Sequence, residues 1–131
     1  MWLFLNYGVL TRDSINNFNT NIMAKFEIYN DKRGEFRFRL KAGNGQAILA
    51  SEGYKAKSGC TNGIESVRKN SQDEGKFERL DSKSGKSYFN VKATNGQVIG
   101  TSQNYSSKSS MENGIASVKK NAPIAEVSDL T

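Results

Sequence analysis

Asn62-Gly63-Ile64-Glu65-Ser66-Val67 recurs as Asn113-Gly114-Ile115-Ala116-Ser117-Val118. Each copy runs into a basic end, Arg68-Lys69-Asn70 and Lys119-Lys120-Asn121. Each reads as the middle of an amphipathic helix, the one helix of its repeat. In the first copy the apolar positions are Cys60, Ile64 and Val67 with Gly63 beside them. In the second they are Met111, Gly114, Ile115 and Val118, which is again the i, i+3, i+4, i+7 stripe of a core-facing helix. The helices are expected over residues 58–70 and 109–121, with Pro123 stopping the second. Ser58 and Ser109 are the expected N-caps, and Ser109 with Glu112 has capping-box spacing. Glycine inside a helix costs about 1 kcal/mol against alanine. Its place on both buried stripes therefore predicts a close approach of helix backbone to sheet.

Working outward, residues 26–70 align on residues 77–121 without a gap, a shift of 51 (77 minus 26). About half of the aligned residues are identical, far above chance for such a window. Residues 26–29 read as a first strand and Asp31 to Gly34 as a turn. Residues 35–42 alternate strictly, with Phe36, Phe38 and Leu40 on one side and Arg37, Arg39 and Lys41 on the other. Asn44-Gly45 is the dipeptide a type I′ hairpin prefers. Residues 46–51 then form a third strand with Ile48 inward. The second repeat follows the same plan. Residues 124–127 suit a further short strand, and residues 128–131 are expected to fray.

The expected fold class is α+β, with two tandem β-β-β-α repeats related by a pseudo-twofold axis. They share a single antiparallel sheet, with both helices on one face. A unit of this size cannot bury a core alone, so the 131 residues hold one domain made of two halves. An internal pair of this kind is expected to be a monomer. Residues 1–22 lie outside the repeats, and composition changes at Met23-Ala24-Lys25. That segment is expected to be a disordered tail or a mis-assigned start, leaving residues 23–131 as the domain.

A net charge of +6 and a pI near 9.5 suit an anionic partner, without the density of a dedicated nucleic-acid arm. Cys60 is the lone cysteine, which excludes an internal disulfide and points to a reducing, cytoplasmic setting. No apolar run approaches the roughly 20 residues of a membrane-spanning helix.

Several stretches together carry a resemblance. They are Phe26-Glu27-Ile28-Tyr29, Phe36-Arg37-Phe38-Arg39-Leu40-Lys41-Ala42, Ser51-Glu52-Gly53-Tyr54 and Asn62 through Asn70, with their second-half counterparts Tyr88-Phe89-Asn90-Val91-Lys92-Ala93 and Asn113 through Asn121. The chain resembles the YegP family of small bacterial proteins over roughly residues 23–131. The resemblance implies tandem β-β-β-α units in one antiparallel sheet. It implies no activity, since that family is one of unknown function.

An enzyme is not expected. There is no histidine, the side chain most used as a general base near neutral pH. Cys60 is matched by Met111, which reads as core. The one acid kept in both copies, Glu27 and Glu78, reads as a surface charge or a cross-strand partner. No metal and no cofactor are expected, because one cysteine without histidine gives no zinc ligand set.

Two surfaces remain. The open sheet face would carry Arg37, Arg39, Lys41, Tyr88 and Lys92, a set able to hold nucleic acid or another anionic macromolecule by charge and stacking. The helix N-termini, with Lys57, Ser58, Lys108 and Ser109, offer a possible anion site. A protein-interaction or stress-associated structural module without nucleic-acid affinity is the alternative.

Overall fold

The computed structural model describes residues 23–131, so the expectation for residues 1–22 lies outside the described residues. The first repeat runs β1 (Lys25–Asn30), β2 (Phe36–Lys41), β3 (Ala47–Ala50) and α1 (Lys57–Asn70). A 3-10 turn (Glu74–Lys76) leads into β4 (Phe77–Asp81), β5 (Ser87–Lys92), β6 (Val98–Thr101) and α2 (Lys108–Asn121), and β7 (Glu126–Asp129) ends the order. All seven strands form one sheet in the order β4-β5-β6-β3-β2-β1-β7. The α+β class and the two-repeat plan are as the sequence predicts.

The alternation in β2 decides which face is core. Antiparallel pairing sets Phe26 against Leu40 and Ile28 against Phe38, all on the helix side and all at most 1% exposed. Phe26 and Phe38 meet edge to face, with ring centroids 5.8 Å apart. In the second half Phe77 pairs with Val91 and also packs on Phe89. The stripe residues Cys60, Ile64, Val67, Met111, Ile115 and Val118 close this core from above. Each large apolar side chain so buried contributes about 1.5–3 kcal/mol.

The halves interlock. Helix α1 packs on β2 of its own repeat and on β5 and β6 of the other, while α2 packs on β5 and on β3. The sheet itself is thin at the seam, where only Ala50 and Thr101 pair between β3 and β6. On the core side of that seam the Leu49 side chain lies where a β-carbon on Gly100 would stand, 2.7 Å from it. A side chain at position 100 would push the two halves apart.

Four details depart from the expectations. First, the sheet is not wholly antiparallel: β7 joins the edge of β1 in parallel, with Phe26 opposite Val127 and Ile28 opposite Asp129. It sits two residues beyond the expected 124–127, and its end does not fray. Leu130 donates its N–H to the Ile28 carbonyl, and Lys57 holds Asp129 at 2.7 Å. A parallel partner arrives by a long crossover over α2, which local pattern does not reveal.

Second, the Asn44-Gly45 hairpin is a three-residue loop. Gly45 N–H donates to the Ala42 carbonyl and Ala42 N–H to the Gln46 carbonyl. Gly45 alone takes the left-handed position, at φ +85°. The same loop recurs at Gly34, Gly85 and Gly96.

Third, a register shift between Leu40 and Lys41 inserts an extra residue in β3. As a result Ile48 and Leu49 are both buried, although they are consecutive.

Fourth, the helices begin one residue early. The α2 cap is Ser107, which accepts from Ser110 N–H, and the α1 cap is Ala56, with no side-chain acceptor. Ser58 and Ser109 already lie inside their helices, and Glu112 turns away to Arg79.

The glycines of the helical stripes are explained by tyrosines as well as by the sheet. Tyr54 and Tyr105 each bridge back to the start of a strand, pairing with Phe36 and Ser87. Their rings lie under the helices. A β-carbon on Gly63 would stand 2.6 Å from the Tyr54 hydroxyl and 3.0 Å from the Phe38 ring. One on Gly114 would stand 2.7 Å from the Tyr105 ring carbon that bears the hydroxyl.

Gly63→Ala and Gly114→Ala should therefore each destabilise the protein. Overpacking costs about 1–3 kcal/mol, which outweighs the gain in helix propensity of about 1 kcal/mol. Urea denaturation measures this, and a midpoint equal to or above that of the parent would refute the packing argument.

Candidate functional site

Pairing across the sheet builds one continuous row on the face away from the helices. It runs Ser128, Glu27, Arg39, Ala50, Thr101, Asn90, Glu78, each directly opposite the next. Arg37, Arg39 and Lys41 share this face on β2, with Lys25, Glu27 and Tyr29 on β1. Tyr88, Asn90 and Lys92 share it on β5, with Glu78 and Leu80 on β4. The structure thus puts all five predicted face residues on the predicted side. It divides them into two groups, because β3 and β6 lie between β2 and β5. Three strand spacings separate the groups by about 14 Å. The floor between them is made of small residues, Ala47, Ala50, Val98 and Thr101. Among the described residues no element covers this face.

Glu27 is the centre of the first group. It is only 6% exposed, yet it lies on the face without helices. It is buried by the basic side chains around it. Arg39 donates to it at 2.8 Å, Lys41 stands at 3.3 Å and Lys25 at 4.0 Å. Burial alone would raise its pKa. The hydrogen bonds from Arg39 and Lys41, with their charges, outweigh that and hold the carboxyl below its ordinary 4.5. Arg39 also stacks over the Tyr29 ring at 4.3 Å. Arg37 is tied to Asp31 at 2.8 Å and to the Ser51 carbonyl at 3.1 Å. That hydrogen bond is the main cause of the lowered Asp31 pKa. In the second group Glu78 takes hydrogen bonds from Asn90 and Lys92, which lower its pKa in the same way.

The structure gives Glu27 and Glu78 the cross-strand role that the sequence left open beside that of a surface charge. Four cations, Lys25, Arg37, Arg39 and Lys41, stand with three carboxylates, Glu27, Asp31 and the Glu126 opposite Lys25, so this half of the face keeps a surplus of +1 (4 minus 3). In the second group Lys92 and Glu78 cancel.

The helix N-termini do not form two like sites. Lys57 is held by the chain's own Asp129, while Lys108 forms no ion pair among the described residues. Ser58 and Ser109 are exposed and cap nothing. Ser51 and Ser102, kept in both repeats, have a structural role. Each hydroxyl accepts a strand N–H, from Phe38 and Phe89 respectively, and donates to the next residue's carbonyl. Cys60 is fully buried, and burial pushes its thiol up to about 11, with the Asp129 charge adding to the rise. Among the described residues no group of histidine, cysteine, aspartate or glutamate is placed to hold a metal ion.

The family model described as Domain of unknown function (DUF1508) matches this chain twice, over residues 31–78 and 82–129. The chain belongs to the DUF1508 family. The DUF1508 unit starts at the turn before β2 or β5 and ends in the strand after the helix, so it is permuted by one strand against the 26–70 frame. The UPF0339 protein in the ptx operon 5′ region of Stutzerimonas stutzeri is 66% identical over 102 residues, covering 78% of this chain and 92% of that protein. The UPF0339 protein YegP of Escherichia coli K12 is 49% identical over 106 residues, covering 81% and 96%. Two solution NMR structures share the fold. The UPF0339 protein SO3888 of Shewanella oneidensis superposes with a TM-score of 0.79 at 48% identity, over 82% of this chain and 92% of that one. E. coli yegP, a protein of unknown function, gives 0.80 at 47% identity, over 84% and 95%. The YegP resemblance of the sequence is thereby established, and the DUF1508 family carries no assigned function.

Two outcomes follow from this geometry. Glu27→Gln should lose about 1.5–3 kcal/mol at neutral pH, the worth of hydrogen bonds to a charged group. A carboxyl with a lowered folded pKa stabilises above its unfolded value and loses that contribution as pH falls through the folded one. The gap between variant and parent should therefore close in acid, below about 4.5. A gap independent of pH in urea titrations would refute this. Cys60 should resist iodoacetamide at pH 8 in the native protein and react once it is unfolded, as mass spectrometry would show. Rapid native alkylation would contradict its burial.

Proposed function

We propose that this chain is a small non-enzymatic binding module of the cytoplasm, acting as a monomer, whose open sheet face takes an anionic partner, with single-stranded nucleic acid as the fitting class. The observation that carries this reading is the basic wall of Arg37, Arg39 and Lys41, which leaves the first half of the face a surplus of +1. It stands beside a floor of small residues, with Tyr88 half-buried on the far side. A chain of phosphates laid along the Arg37–Arg39–Lys41 wall gains from that surplus. Its bases meet the floor and Tyr88. The residues present also speak against catalysis, with no histidine and the one thiol buried and protonated. Among the described residues no helix is long and apolar enough to cross a membrane.

The ion pairs favour a second reading, a protein-interaction or stress-associated structural module without nucleic-acid affinity. Arg37, Arg39, Lys41 and Lys92 are each already engaged by a carboxylate. A phosphate must compete with those partners.

Fluorescence anisotropy of labelled single-stranded DNA and RNA across a salt series tests the choice. Three to four phosphate contacts give a log–log slope of about −2 to −3. Arg37→Gln with Lys41→Gln should flatten that slope by about 1.4 while Arg39 still holds Glu27. An unchanged slope would remove the face from consideration. No binding even at low salt would leave the protein-interaction reading in its place.

A further inference from the structure

The two ends of the sheet differ. At one end β7 lies parallel beside β1. At the other, β4 has β5 on one side and no strand on the other among the described residues. The 51-residue shift puts β4 where β1 stands in the first repeat, so the first repeat displays what such an edge accepts.

Three features of the β1 edge have counterparts at β4. The first is main-chain direction. Leu130 donates to the Ile28 carbonyl, so the main chain of Ile28 faces β7. Arg79 is the equivalent residue. By the same alternation its N–H and C=O point off the sheet, with the C=O of Phe77. The Phe77 N–H is taken by the Glu74 carbonyl. The second is a lysine. Asp129 of β7 turns to the helix side and binds Lys57, the first residue of α1. Lys108, the first residue of α2, is exposed and has no such carboxylate among the described residues.

The third is a filled corner that is empty here. Phe36 has its ring centre 5.8 Å from the Lys57 ammonium. The second repeat has Ser87 at that position. A cavity of about 160 Å³ opens there, bounded by Arg79, Leu80, Ser87, Lys108 and Met111. Two acids also border it, but Glu112 is held by Arg79 and Asp81 accepts from Ser87 at 3.5 Å.

We propose that the β4 edge docks an extended, carboxylate-bearing segment of a partner protein as a parallel eighth strand. A helix-side carboxylate of that segment pairs with Lys108, and an apolar side chain two residues on fills the cavity beside Ser87. Strand periodicity puts both side chains on one face. The main chain gains hydrogen bonds at Phe77 and Arg79, the usual source of affinity in strand addition. A partner fits better than a second copy's β7. That strand is already held by β1 and Lys57, and it carries polar Thr131 where the cavity wants an apolar group.

The probe is the nonapeptide Pro123–Thr131 carrying Thr131→Leu, titrated into the isotope-labelled full chain and followed by NMR. Amide shifts should move at Arg79, Leu80, Lys108 and Met111, with β1 unmoved. Lys108→Glu should weaken binding about tenfold, as the loss of one charge pair implies. Ser87→Phe, which fills the corner as Phe36 does, should also weaken it. A peptide with Asp129→Lys should not bind. Shifts at residues 25–30 in place of β4 would overturn the proposal, since the peptide would then be exchanging with β7. Absence of shifts at millimolar peptide would overturn it too. So would β4 signals that move with protein concentration alone, because the edge would then belong to another copy.

Discussion

A helix of this length covers too little sheet for either repeat to stand alone. Helix α1 crosses from β2 of its own half onto β5 and β6, and α2 returns from β5 to β3. The strands themselves hardly join the halves, since the seam has a single paired position at Ala50 and Thr101. The union is therefore made above the sheet, in a shared core of aromatic and aliphatic side chains. Leu49 against Gly100 shows how tight that seam is on its inner side. A small residue on one strand lets the large residue of the other reach the core. The open face above the seam stays smooth because Ala47, Ala50, Val98 and Thr101 line it.

Duplication has left two halves with the same backbone and different chemistry. Arg39 became Asn90, so the glutamate of the second half has weaker partners and is more exposed than Glu27. Ile28 became Arg79, which faces Glu74 and Glu112 where its counterpart is buried in the core. Phe36 became Ser87, and a filled corner became a cavity. The first half concentrates charge on its open face, while the second concentrates polar groups at its edge. A molecule built this way presents two different surfaces from one plan, and each can be altered without disturbing the other.

What could be read from the sequence followed local rules. The alternation of Phe36, Phe38 and Leu40 with Arg37, Arg39 and Lys41 assigned both faces of β2, because side chains of a strand alternate strictly. The helical stripes named the buried residues, and glycine within them signalled close packing. Features that depend on distant partners were not visible. Nothing near Glu126 announces pairing with β1, since that contact arises only when the chain returns. The burial of Glu27 was hidden because a carboxylate reads as exposed until three basic neighbours enclose it. The inserted residue at Ile48 and the cap at Ser107 were missed for another reason. Each is a shift of one residue, and pattern alone does not resolve a shift of that size.

The parallel placement of β7 gives the fold a direction in time. The strand that covers β1 is translated after every other element described. β1, β2, β3 and α1 are all synthesised long before the strand that covers the edge of β1. The first half leaves the ribosome with a bare strand edge and with the contacts of α1 to β5 and β6 still unmade. Closure waits for the last turn of α2 to pass and for Asp129 to reach Lys57. The ion pair thus acts as a late clasp, joining the last strand described to the first residue of α1.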